Sequence, residues 1–196
     1  MPVGTEDVIR CAALAIESGR RVELGALATE LHISRVTLFR RVGNRDQLIS
    51  EALWWLTQQS LAASAGRWRR AHGDVVRSSR GELRSMWIIS DHAARTGRDA
   101  GFQKLLDEEP ITALRALTDP GGAMQPRMIA AVRAFLDSDV RDGGFRPSVD
   151  LDTLAYAVVR LGESILYADL MAGRQSSIAT ASVLVTALVE GVLETD

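Results

Sequence analysis

The chain has 196 residues, 46% of them apolar and 24% charged, with a formal net charge of −2. That composition belongs to an ordinary globular protein and excludes a disordered, collagen-like or bulk polyanion-binding chain. The single cysteine, Cys11, excludes an internal disulfide framework and a cysteine-based zinc site, and His32, His72 and His92 show no metal-ligand spacing.

The first residues show no basic segment followed by an apolar one, and no apolar run approaches the roughly 18 residues needed to span a bilayer. The expected location is therefore the cytoplasm. Aromatic residues are only 5% of the chain, and no segment sustains a period-two alternation. Ala, Leu, Arg and Glu dominate, so the chain reads as all-α. A first helix is predicted over 5–18, capped by Thr5 and stopped by Gly19. Short helices follow over 24–31 and 35–42, the second capped by Ser34. A long helix runs over about 46–70, after the Gly43-Asn44 break. Beyond a polar junction at 73–79, helices are predicted over 81–96, 100–108, 111–117, 125–141, 150–172 and 177–193. They are separated by local Gly and Pro punctuation. Trp68 is expected to fold onto the body of the protein.

Residues 1–72 carry 10 arginines and 7 acids, net +3, whereas residues 73–196 are net −5. The basic part contains the stretch 24–42 (LGALATELHISRVTLFRRV). Leu27, Ala28, Leu31, Ile33, Leu38 and Val42 are spaced to pack two short helices across a tight turn. Ser34 caps the second helix. This is the pattern of a helix-turn-helix, whose second helix enters the major groove. From Ile33 to Arg45 there are four arginines (Arg35, Arg40, Arg41 and Arg45) and no acid. An uncompensated basic helix suits phosphates and guanine edges. A solvated helical hairpin without function shares the apolar spacing, but not the uncompensated charge.

Residues 37–48 (TLFRRVGNRDQL) resemble the recognition helix and following helix start of TetR-family transcriptional regulators. The resemblance covers about residues 5–55. It implies a three-helix DNA-binding domain over 1–50 and a larger helical ligand-binding and dimerisation domain over 51–196, with the helix at 46–70 linking them. It also implies a homodimer bound to an operator in double-stranded DNA and released by a small-molecule effector. Carried onto this sequence, the resemblance places Arg35, Val36 and Thr37 at the exposed start of the recognition helix. Phe39 stands where Tyr is usual, and so loses a phosphate-reaching hydroxyl. Arg41 lies one turn past Thr37, within reach of backbone or base. Arg45 replaces the usual Lys and would hold a phosphate beside helix N-terminal amides. Two departures stand out. The second helix lacks its usual Thr or Ser cap, so that Arg20 or Arg21 would compensate, and His32 occupies the turn position where Gly is common.

Residues 109–120 (EPITALRALTDP) and 154–169 (LAYAVVRLGESILYAD) resemble the ligand-binding half of the QsdR-like branch of that family, over about 80–190. In the helix at 150–172, Tyr156, Arg160, Ser164 and Tyr167 share one face, and Glu163 is spaced to pair with Arg160. Two readings stand side by side. The Arg160–Glu163 pair could simply order the bundle from within, or the stripe could supply the polar groups of a small-molecule cavity. Its other walls would then include Trp87, Phe102 and Met128, with Met86, Leu106 and Phe135. The apolar helices at 150–172 and 177–193 are expected to pair with their copies in a dimer.

No nucleophile elbow, P-loop or dinucleotide fingerprint is present, so no enzyme activity, cofactor or metal is expected. The expected function is a ligand-responsive regulator, most simply a repressor released from a pseudo-palindromic operator by a small, mostly apolar effector. The alternative is an architectural DNA-binding protein that answers to no ligand. A C-terminal half of this size exceeds what dimerisation alone requires.

Overall fold

The computed structural model describes residues 3–172 and 178–194, without the side chains of 166, 167, 169–171 and 194. The described residues form α1 (Thr5–Glu17), α2 (Leu24–Glu30), α3 (Arg35–Val42), α4 (Arg45–His72), α5 (Arg84–Thr96), α6 (Ala100–Glu108), α7 (Pro110–Thr118), α8 (Met124–Gly143), α9 (Leu151–Met171) and α10 (Ile178–Val192). A two-residue strand pair, β1 (Arg146–Pro147) and β2 (Leu193–Glu194), is antiparallel. The all-α reading holds, and the bounds of most predicted helices shift by a residue or two.

Three local differences have clear causes. Thr5 is the first helical residue of α1 rather than its cap. Gly4 takes the extended cap position, and its N–H donates to the Asp7 carboxylate at 2.8 Å. The helix predicted from 81 starts at Arg84, because residues 76–84 close a small hairpin first. There Ser78 N–H donates to the Glu82 carbonyl and Arg84 N–H to the Val76 carbonyl, with Gly81 at φ +84°. The β1–β2 pair was not predicted, since its two partners are joined only by the tertiary fold.

Packing divides the chain into two compact units, Met1–Gln58 with Arg98–Pro126, and Gln59–Gly97 with Arg127–Asp196. This is not a single cut near residue 50: α6 and α7 pack with the N-terminal helices. In the first unit α1 packs on α2, α3 and α6, and α6 on α7. Gly101 permits the α1–α6 approach, since a Cβ there would collide with the Ile16 and Glu17 carbonyls. Val8, Leu27, Leu38, Leu48 and Ile49 are fully or nearly fully buried. Removing a side chain such as Leu38 from this core would cost about 2–5 kcal/mol.

In the second unit α10 packs on α9 and α5. Its core gathers Leu83, Met86, Leu136, Leu154, Val158 and Val189. A smaller cluster holds Leu61, Trp68 and Ile88, against which Trp87, Met128 and Phe135 pack. Trp68 is buried as expected, and its indole N–H donates to the Val75 carbonyl at 3.0 Å. A buried carboxylate ties α5 to α8: Asp139 accepts from Arg84 Nε at 2.8 Å and from Ser85 N–H at 2.7 Å.

Candidate nucleic-acid interface

The geometry of the reading helix follows from a few residues. After α2, His32 takes φ +52°, the left-handed conformation that the turn demands and that Gly adopts at lower cost. Ser34 then caps α3 by accepting the Thr37 N–H at 3.0 Å, and the two hydroxyls meet at 2.9 Å. Leu38 and Val42 are buried and anchor α3 on its unit. The opposite face is therefore forced outward: Val36 is 62% exposed and Phe39 57%, and Arg35 and Arg40 are also exposed. Large apolar groups this exposed are unusual for a solvated helix, and a partner surface explains them. The Arg35 guanidinium leans across Gly25 of α2, where a Cβ would displace it. Gly43, at φ +70°, ends α3, and Asn44 and Gln47 then cap α4 reciprocally at 2.9 Å each way.

Arg45 is not a free cation. Its Nε donates to the Val22 carbonyl at 2.6 Å and its Nη2 to Glu109 Oε1 at 2.6 Å. Glu109 also faces Arg21 Nε at 3.2 Å, and Arg21 reaches Glu23 at 3.0 Å. The hydrogen bond from Arg45, reinforced by both guanidinium charges, holds the Glu109 carboxyl below the usual carboxylate range. Arg20, the other candidate at this end, pairs with Glu30. Arg41 is half-buried, and its Nη1 is sealed from solvent with no hydrogen-bond partner among the described residues.

Of the residues expected to hold an effector, Tyr156, Arg160 and Ser164 stand exposed together along α9. Arg160 and Glu163 do pair, at 2.7 Å, but the Arg160 side chain is 47% exposed and Tyr156 is 54% exposed. In the single chain Arg160 and Tyr156 lie on an outer face of α9, whereas the Glu163 side chain is only 13% exposed. The side chain of Tyr167 lies outside the described residues. Trp87 and Met128 lie together against Trp68 in the second unit, whereas Phe102 belongs to the first.

Two residues of consequence escaped the sequence reading. Glu109 has no local signal, because its partners are distant in the chain. His92 does have one: Ser85, Ile88 and His92 recur at helical spacing on the buried face of α5. His92 is 6% exposed, with Nδ1 2.9 Å from Ser60 Oγ, and burial pushes its pKa down to about 4.

The fold and the exposed basic helix define a helix-turn-helix transcriptional regulator. Residues 80–190 match the family model described as "Tetracyclin repressor-like, C-terminal domain". The chain belongs to the TetR family of transcriptional regulators. Among solved structures it is similar to the transcriptional repressor QsdR of R. erythropolis, from the TetR family. That match has 23% identity and a TM-score of 0.81, and covers 98% of this chain and 96% of that one. It also matches the TetR-family regulator PfmR of Thermus thermophilus at 18% identity and a TM-score of 0.38, covering 93% and 96% of the two chains. No curated protein matches. Among the described residues no helix is long and apolar enough to cross a membrane.

Proposed function

We propose that this protein is a dimeric, effector-responsive repressor that reads a pseudo-palindromic operator with one α3 per half-site. The observation that carries the reading is the capped α3, buried through Leu38 and Val42 while Arg35, Val36 and Phe39 stand exposed at its outer face. Arg35 reads a base edge, since a guanidinium pairs bidentately with guanine in the major groove. Val36, Thr37 and Phe39 supply apolar and hydroxyl contacts beside it. Arg21 and Arg45 take phosphates once released from Glu109.

The dimer forms through α9 and α10, where Val183 is 68% exposed, Leu184 47% and Tyr156 54%. Exposed apolar side chains on two adjacent helices suit a self-complementary interface. The effector is small and mostly apolar, and lies in the second unit beside Trp87 and Met128. With the interface formed, Tyr156 and the Arg160–Glu163 pair lie within the dimer. Effector binding favours a conformation in which the two reading helices lose their half-site spacing.

The test is selection of bound duplexes from a random pool, followed by the Arg35→Ala variant. A palindromic consensus is expected, and Arg35→Ala loses about 1–3 kcal/mol on it with relaxed specificity at one base pair. Selection without a consensus, or an unchanged affinity in Arg35→Ala, overturns the assignment.

A further inference from the structure

Gly25 stands in the first turn of α2, where nothing in the backbone asks for glycine. Its φ lies outside the left-handed region, so an L side chain suits the local conformation. Glycine is also a poorer helix former than alanine, because it gives up more conformational freedom. What stands in the way of a side chain is one neighbour. A Cβ on Gly25 would lie 2.9 Å from Arg35 Cζ and 3.1 Å from Arg35 Nε, and closer still to Nη2; these are the three atoms nearest to it. Gly25 thus leaves a notch in α2, and a guanidinium from the next helix fills it. Arg35 is the first residue of α3, and it is exposed. Its guanidinium has no ion-pair or hydrogen-bond partner among the described residues, so nothing there competes for its donors.

We infer that Gly25 is a positioning residue for base recognition: by withholding a side chain it holds the Arg35 guanidinium back over α2, and so fixes which base pair of the half-site Arg35 reads. The inference rests on the operator reading proposed above. In a helix-turn-helix the first helix crosses the DNA backbone while the second lies in the groove. A guanidinium laid toward α2 therefore stands at the edge of the α3 footprint nearest the first helix. Val36 and Phe39, exposed on the same outer face, take the positions beyond it. A long side chain gives up rotamer freedom when it binds, and a notch that already holds it in one pose reduces that loss. A methyl group on residue 25 would displace only the free end of a flexible side chain, at little cost to the fold. It would, however, remove the pose from which the guanidinium fork meets O6 and N7 of guanine.

Fluorescence anisotropy with the full chain tests this on the duplex selected from the random pool. A second duplex carries 7-deazaguanine at the half-site guanine, which removes the N7 acceptor, and a third is scrambled. Wild type should bind the 7-deazaguanine duplex about tenfold more weakly than its parent. Gly25→Ala should bind the parent about tenfold more weakly than wild type, and lose under about twofold to the analogue. On the scrambled duplex the two proteins should bind alike, since the charge is unchanged. Adding Gly25→Ala to Arg35→Ala should change operator affinity by under about twofold. Gly25→Ala should also melt at or above the wild-type temperature. If Arg35→Ala binds the operator like wild type, the operator reading has failed and this inference falls with it. If Arg35→Ala weakens binding but Gly25→Ala keeps both the operator affinity and the 7-deazaguanine penalty, the notch alone is refuted. A Gly25→Ala protein that melts lower and loses the scrambled duplex as well makes Gly25 a structural residue, and also overturns the assignment.

Discussion

Glu109 is where the fold and the reading surface meet, and replacing it with Gln separates their contributions. The side chain is only 12% exposed, and Oε1 accepts from Arg45 at 2.6 Å while facing Arg21 at 3.2 Å. A charge-assisted hydrogen bond of this burial stabilises by about 1.5–3 kcal/mol. Arg21 is 61% exposed and adds under about 1 kcal/mol. Glu109→Gln should therefore cost about 2 kcal/mol, or roughly 4–8 °C in melting temperature for a chain of this size. Since the folded carboxyl titrates below its unfolded value, this stabilisation is fully present above the ordinary carboxylate range and is lost as pH falls through the folded pKa. The gap between wild type and variant should accordingly close in acid. On DNA the variant acts in the opposite sense. Arg21 and Arg45 lose their internal competitor and become available to phosphates. Each adds about 0.9 to the slope of log affinity against log salt, so the slope should steepen by up to about 2 per protomer. Fluorescence anisotropy on the selected duplex across a salt series measures this directly, with melting curves alongside. A lowered melting temperature with an unchanged salt slope would show that neither arginine meets the backbone. An unchanged melting temperature would refute the energetic argument itself.

His92 should impose a second pH dependence. Its pKa is displaced downward, from 6.5 to about 4, so the unfolded chain binds the extra proton in that interval. Stability is complete above the unfolded value and falls by about 3 kcal/mol as pH drops toward 4; denaturant titrations of His92→Gln should lack this slope, and an identical slope would assign it elsewhere. Leu184→Arg places a charge on the exposed face of α10 and should yield a monomer by sedimentation, with binding to a palindrome lost; a variant that still sediments as a dimer moves the interface elsewhere. Asp139→Ala leaves Arg84 and the Ser85 N–H without their buried acceptor and should cost about 3–5 kcal/mol in chemical unfolding. The same change at the more exposed Asp142 should cost far less, and equal losses would refute the role of burial.

Much of this protein is legible along the chain because its information is local. Ser34 capping Thr37, the spacing of Leu38 and Val42, and the left-handed turn at His32 are set by residues within one or two turns of one another. Helix periodicity, caps and turn chemistry act over that range, so α2, α3 and the outward face of α3 follow from residue order alone. What residue order could not assign is which distant charge answers which. Arg45 and Arg21 read as free cations, yet Glu109, far along the chain, claims both. Arg41 reads as one more reading-helix cation, yet packing seals its Nη1 from solvent. Arg160 and Glu163 were placed within reach of each other by spacing, but only the packing of α9 decided that Arg160 stands half-exposed. Pairings and burial of this kind depend on which surfaces meet in three dimensions, where desolvation sets whether a charge is bound, buried or free.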